Sequence, residues 1–197
     1  MTKNKEYLEF DEREHRYRLM PSGVILPSVT QIIDTVFPFI DRGEVTERAR
    51  QFGSAIHKAI ELDIKGTLDM VTLDEALMPY LKQWWKVISH LDILTTQCKT
   101  EQMLWSKKYR FSGRIDIVEK RIMDIKSGQP SPTHRIQASA YRHLWQITYK
   151  QKMPKAIVIY LNGEDKMPEI VEEQPSDFTT FLSCLEIYNF KKKENIK

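Results

Sequence analysis

The segment from Arg121 to Ser127 constrains this chain most. In it Met123 and Ile125 alternate with Asp124 and Lys126. Side chains alternate across a strand, so one face takes the apolar pair and the other the carboxylate and the ammonium. The preceding run, Gly113-Arg114-Ile115-Asp116-Ile117-Val118, alternates likewise, with Asp116 opposite both Ile115 and Ile117. Two such strands side by side present two carboxylates and one ammonium from one sheet face. Hard divalent cations take carboxylate oxygens, and a phosphodiester under attack needs a cation and a held water. Context carries the signal. Asp63-Ile64-Lys65 has the same form but lies in a helical pattern, where i and i+2 do not share a face. Glu164-Asp165-Lys166 follows Asn162-Gly163 and reads as a turn.

The 197 residues suffice for one domain with a substantial core, and a single domain over residues 1–197 is expected. Hydrophobic content of 41% beside 29% charged residues is that of a globular chain, which argues against disorder. No apolar run approaches the roughly 20 residues of a membrane span, and the N-terminus lacks the apolar stretch of a signal peptide. Cys98 and Cys184 are too few to make a zinc or iron–sulfur site alone. They read as buried thiols of a reducing, cytoplasmic setting. A net charge of +3 neither demands nor excludes nucleic acid.

Along the chain, Tyr7 to Met20 reads as a hairpin, followed by a short strand from Val24 to Leu26. Ser28 to Gln31 fits a capping box opening a helix that Pro38 should end. A long helix is expected from Glu44 to Lys65, with Ala49, Phe52, Ile56, Ala59, Ile60 and Ile64 as its stripe and Gly66 as its stop. Thr72 to Glu75 resembles a second capping box, for a helix to about Leu94 with a kink at Pro79. Strands follow at 98–106, 109–120 and 121–127. Ser131-Pro132 opens a helix to Tyr149, with Ile136, Ala140, Leu144 and Ile147 facing the core. A buried strand at 155–161, an edge strand at 169–172 and a helix ending in Lys191-Lys192-Lys193 complete the chain. Strands grouped between helices predict an α/β fold with a mixed sheet flanked by helices.

Further residues have two readings each. His57 lies on the long helix with Gly53 one turn before and Glu61 one turn after, on one face. It is either a metal ligand or phosphate contact, or a histidine at the core boundary. Glu101, a strand's length before Asp116, either completes a metal shell or is a solvated edge carboxylate. Gln137 and Tyr141, one turn apart, either reach substrate or pack. Ser28 and Thr30 could cradle a phosphate, but capping alone explains Ser28. Trp84 reads as core and Trp85 as an exposed aromatic, although both could stack on bases. Lys107, Lys108, Arg110 and Arg114 form a basic cluster beside the proposed site, suited to backbone phosphates or simply solvated.

Together these residues resemble the PD-(D/E)XK nuclease superfamily, in its RecB-like exonuclease branch. Gly53-Ser54-Ala55-Ile56-His57 is similar to that branch's helical histidine motif. Gly113-Arg114-Ile115-Asp116 is similar to its first acidic strand, and Asp124-Ile125-Lys126 to its core signature. Gln137-Ala138-Ser139-Ala140-Tyr141 is similar to its trailing helical motif, and Leu26-Pro27-Ser28-Val29-Thr30 to a segment of phage-type members. The likeness spans residues 26 to 161. The strand before Asp116 lacks the proline that names the superfamily, and the four cysteines of cluster-bearing relatives are absent.

The resemblance implies a restriction-endonuclease-like core with helices on both sheet faces, no iron–sulfur cluster, and an Mg²⁺- or Mn²⁺-dependent deoxyribonuclease. It implies Asp116 and Asp124 as metal ligands, joined by the Ile125 carbonyl, His57 and, as a lesser candidate, Glu101. Lys126 would activate or orient water, and Gln137 and Tyr141 would position substrate. The expected partner is DNA, with exonuclease action at single-stranded or frayed ends and no membrane. The helices bearing His57 and Gln137 are expected as opposite walls of a channel for one strand. An inactive nucleic-acid-binding module and an endonuclease are the alternative readings.

Overall fold

The computed structural model describes residues 6–12, 14, 16–38 and 44–196. Strands β1 (Tyr7–Asp11), β2 (Arg16–Met20) and β3 (Val24–Leu26) form an antiparallel three-stranded sheet. A second sheet holds β4 (Lys99–Ser106), β5 (Phe111–Val118), β6 (Ile122–Lys126), β7 (Ile157–Tyr160) and β8 (Glu169–Glu172), in that order. Only β6 and β7 run parallel, so the sheet is mixed. A parallel pair needs a long crossover, and α4 (Pro132–Tyr149) supplies it.

Two cores cover the two faces of this sheet. On one, α1 (Val29–Asp34), α4 and α5 (Asp177–Lys193) bring Val29, Leu144 and Phe181 against Phe111, Ile115, Ile122 and Val158. On the other, α2 (Glu44–Ile64) and α3 (Met78–Leu91) bring Ile56, Ile60 and Trp84 against Ile117, Met123, Ile125 and Ile159. The molecule is thus α/β, with helices on both faces of a mixed sheet, as the sequence predicts. Strand β7 is buried throughout, which explains its unbroken Ile-Val-Ile-Tyr run.

Local chemistry sets the helix ends, with corrections to the expected ones. Ser28 and Gln31 form the capping box of α1. That helix stops at Asp34, before Pro38 can act as its terminator. The Thr72 box does not form. Asp74 instead caps a short 3₁₀ turn by accepting the Ala76 N–H, and the Thr72 hydroxyl turns to Asp69. Pro79 then sits in the first turn of α3, where its missing N–H costs nothing, so no kink arises. Ala49 and Ile147 are exposed, so both stripes end a turn short of expectation. Cys184 is buried, but Cys98 is only partly so. Trp84 is core, and Trp85 is exposed with its indole N–H donating to Asp63. No described helix is long and apolar enough to cross a membrane.

Gly113 lets α4 sit close on β5. A Cβ there would lie 2.7 Å from Tyr141 Cε1 and 3.2 Å from Leu144 Cδ1. Gly113→Ala should therefore push the Tyr141 ring aside and cost about 1–3 kcal/mol, as overpacking does in a filled core. Denaturant unfolding measures this; an unchanged midpoint would show that α4 is not seated on this glycine.

Candidate active site

The site begins where strand pairing fails. Strands β4 and β5 pair at Thr100↔Ile117 and Gln102↔Ile115, but not at Glu101 and Asp116 between them. Glu101 has φ 51°, a left-handed conformation costing a non-glycine residue about 1–2 kcal/mol. Across this pair the faces exchange: Ile115 joins the α4 core and Ile117 the α2 core. The expectation that both isoleucines lie opposite Asp116 is thus corrected, because regular alternation assumes an unbroken pleat. On its other side, the β5–β6 ladder ends at Ile117↔Met123. There the Asp116 carboxylate takes over, its Oδ2 accepting the Ile125 N–H at 2.8 Å.

Helix α2 brings His57 to this break, with Nδ1 3.5 Å from Asp116 Oδ2. One ligand atom each from His57, Glu101 and Asp116 lie within 4.8 Å of one another. Ile60, Glu61, Thr100 and Ile125 also line this cleft, whose volume of about 10 Å³ matches a single water or ion. One imidazole and two carboxylates form a donor set that suits a divalent cation. Gly53 allows the close approach of α2, since a Cβ there would stand 3.1 Å from Ser127 Oγ just beyond β6. Glu61, on the His57 face as its spacing predicts, is tied to Lys58 and Lys65, and the Lys65 contact most lowers its carboxyl pKa.

Asp124 and Lys126 form a second group on β6. Lys126 Nζ lies 2.8 Å from Asp124 Oδ2. Asp124 is fully buried, and among the described residues no donor reaches its Oδ1. Burial raises its carboxyl to about 6, aided by Asp116 and opposed by Lys126. Burial alone would lower the Lys126 ammonium, but Asp124 and Asp116 outweigh it and hold its pKa up. Burial, then Asp116, also raises Glu101. Crowded, dry carboxylates of this kind are what a bound cation would relieve. The orphaned Asp124 oxygen and the three-residue cluster therefore both fit a metal.

The remaining candidates divide. Arg114 belongs to the site: its Nε lies 2.8 Å from Glu101 Oε2, and its guanidinium covers the Phe10 ring at 5.3 Å, tying in β1. Gln137 donates to the Tyr141 hydroxyl at 2.8 Å. Burial, then the charges of Asp124 and Asp116, push the Tyr141 phenol well above its ordinary pKa. Ser28 spends its hydroxyl and its N–H in the capping box, and Thr30 is exposed beside it. Lys107, Lys108 and Arg110 are not beside the cluster. They occupy the β4–β5 turn, where Arg110 is six extended residues or about 20 Å from Asp116. Helices α2 and α4 lie on opposite faces of the sheet, so they do not face each other across an open channel. Sequence reading missed Tyr160 and His134 near Lys126, joined by a 3.1 Å contact between the Tyr160 hydroxyl and His134 Nδ1. Only the β6–β7 pairing, which sets Tyr160 opposite Lys126, could have shown the tyrosine.

No protein-family model matches the sequence, and no curated protein matches it. Among solved structures, one called a putative exonuclease, from Eubacterium rectale, aligns with a TM-score of 0.52 at 9% identity. The alignment covers 87% of this chain and 82% of that one, and it supports the fold. A second structure, SSO0001, aligns over 80% of this chain and 81% of its own at 14% identity, with a TM-score of only 0.34.

The Asp124 carboxyl yields a pH prediction. Its folded pKa is above the ordinary 3.8, so between about pH 4 and 6 the folded state binds more protons than the unfolded. The stability contributed by this group is present at low pH and falls as pH rises through that window. Unfolding in chelator across pH 4–7 should show this downward component in the native chain and not in Asp124→Asn; parallel curves would refute it.

Proposed function

We propose that the chain is a metal-dependent deoxyribonuclease of the PD-(D/E)XK superfamily, RecB-like branch, acting as one domain over its whole length. The observation that carries this reading is the juxtaposition at the β5–β6 break. Asp116, bonded to the Ile125 N–H, stands between the His57–Glu101 pair and the Asp124–Lys126 pair. The fold likeness to the Eubacterium rectale structure called a putative exonuclease is consistent with it.

In this reading Asp116, His57 and Glu101, with Asp124 and the Ile125 carbonyl, hold Mg²⁺ or Mn²⁺. When bound, the cation supplies Lewis-acid polarisation and an acidified water. Lys126 supplies a fixed positive charge beside the scissile phosphate, and Asp124 keeps it protonated and aimed. Arg114 holds Glu101 in its strained conformation. Tyr141, oriented by Gln137, carries a phenol that stays protonated and can donate to a substrate oxygen. The cleft of about 10 Å³ has no room for more than an ion or a water, so the strand lies across its mouth. Action at single-stranded or frayed DNA ends is the proposed specificity.

Cleavage of DNA should require Mg²⁺ or Mn²⁺ and stop in chelator. Lys126→Gln should retain calorimetric metal binding while turnover falls on the order of a hundredfold or more, as for loss of a positioned electrostatic group. Asp116→Asn should lose both. Near-native rates for Lys126→Gln would remove the lysine from the chemistry, and full cleavage in EDTA would remove the metal.

End preference has its own test, with labelled linear DNA and covalently closed circles under the same conditions. Linear DNA should be degraded from its ends while circles persist. Linearisation of circles as fast as end digestion would make the protein an endonuclease.

A further inference from the structure

A second concave site lies at the far end of the β4–β5 hairpin. It has a volume of about 290 Å³ and sits between residues 25–27, the hairpin turn and the last turns of α5. Lys108, Arg110 and Lys192 line it, together with Tyr109, Tyr188 and Asn189, and no carboxylate does. None of these three cations has an ion-pair partner among the described residues. Its floor is fixed. Leu26 and Pro27 are buried, and the Pro27 carbonyl accepts both the Ser112 N–H, at 2.9 Å, and the Ser112 hydroxyl, at 3.2 Å. The size is near the lower end of small-ligand pockets, about 300 Å³.

Arg110 adds an independent observation. Its φ is 56°, in the left-handed region. Glycine would relieve about 1–2 kcal/mol of strain there. The left-handed residue closes the 107–110 loop, its N–H donating to the Ser106 carbonyl at 2.8 Å, and it sets Arg110 in the wall of a cavity that no carboxylate lines. The C-terminus of α5 contributes roughly half a negative charge. Lys191 and Lys192, in that last turn, outweigh it.

We propose that this cavity is a second, non-catalytic nucleic-acid subsite that takes one nucleotide of a single strand. The phosphate sits among Lys108, Arg110 and Lys192, and the base lies against the Tyr188 ring. The inference rests on the nuclease reading for its class of ligand. Guanidinium and ammonium groups without ion-pair partners match a phosphate's charge and acceptors, the Lys108 ammonium lying over the Tyr109 ring at 4.9 Å. A phenol ring stacks on any base, and the Asn189 amide offers a donor and an acceptor to a base edge. The separation of about 20 Å from Asp116 is spanned by about three nucleotides of an extended single strand, whose phosphates stand farther apart than the roughly 3.4 Å rise of a duplex. A strand longer than that occupies both sites at once, and a shorter one occupies one site at a time.

The test is fluorescence anisotropy in EDTA, with end-labelled single strands of about two and about twelve nucleotides bracketing that reach. The wild type should bind the long strand several-fold more tightly. Arg110→Gly should weaken long-strand binding about fivefold or more and reduce its salt slope by about 0.7, one phosphate contact on a single strand. The same variant should hold or raise Tm, because the strain is gone. Lys192→Gln should weaken long-strand binding with no backbone effect, and in both variants the preference for the long strand over the short one should shrink. Native-like long-strand affinity and slope in both variants would overturn the subsite, as would equal affinity for a polyglutamate peptide or no strand binding at all. If the wild type cleaves no DNA with any metal while the variants still lose long-strand affinity, hydrolysis falls and the subsite stands. If DNA is cleaved and the variants bind like wild type, the subsite alone falls.

Discussion

One hydrogen bond organises the centre of this molecule: the Asp116 carboxylate accepting the Ile125 N–H. Beyond Ile117↔Met123 the ladder between β5 and β6 stops. A buried backbone N–H without a partner costs about 1–3 kcal/mol, so a side chain must replace the missing carbonyl. Because a carboxylate does so, negative charge is anchored at the point where the strands part. His57 and Glu101 converge on that charge from α2 and β4, and Asp124 and Lys126 stand next along β6.

Several local costs meet at this cluster. Glu101 holds a left-handed conformation, Asp124 is buried with an oxygen that nothing satisfies, and Lys126 is largely removed from water. A buried ion pair adds little net stability, because desolvation offsets the attraction. By contrast, the Arg142–Glu173 and Arg135–Asp177 pairs fasten α4 to the start of α5 well away from the cluster. The cluster differs in crowding: Glu101, Asp116 and Asp124 stand together with Arg114, His57 and Lys126, and strained or unsatisfied groups of this kind gather at functional sites.

Much of this was legible in advance. The turn signals and apolar periods gave the β1–β2 hairpin, α2, α4, the burial of β7 and the edge position of β8, because each depends on neighbours within a few residues. The motif residues His57, Asp116 and Gln137 lay at recognisable spacings. Other features left no local trace. Gln83 is buried in α3, with hydrogen bonds to Asn162 and Gly163 some 80 positions away. The Arg114–Glu101 contact, the close seating of Tyr141 on Gly113 and the face exchange at Asp116 depend on how strands and helices meet.

The sequence by itself determined the order and kind of the elements, the mixed sheet between helices, and the residue types able to hold a cation near a phosphodiester. These follow from side-chain period, capping chemistry and ligand hardness, all properties of short segments. Only the tertiary structure decided that Glu101, not Asp124, closes the three-residue cluster with His57 and Asp116. It also decided that Arg114 belongs to this site while Lys108 stands at the opposite end of the hairpin with Arg110 and Lys192. Strict alternation carries a side chain's direction along an unbroken strand. It cannot foresee a break, because the break arises from long-range pairing between strands, and at that break the faces of β5 exchange.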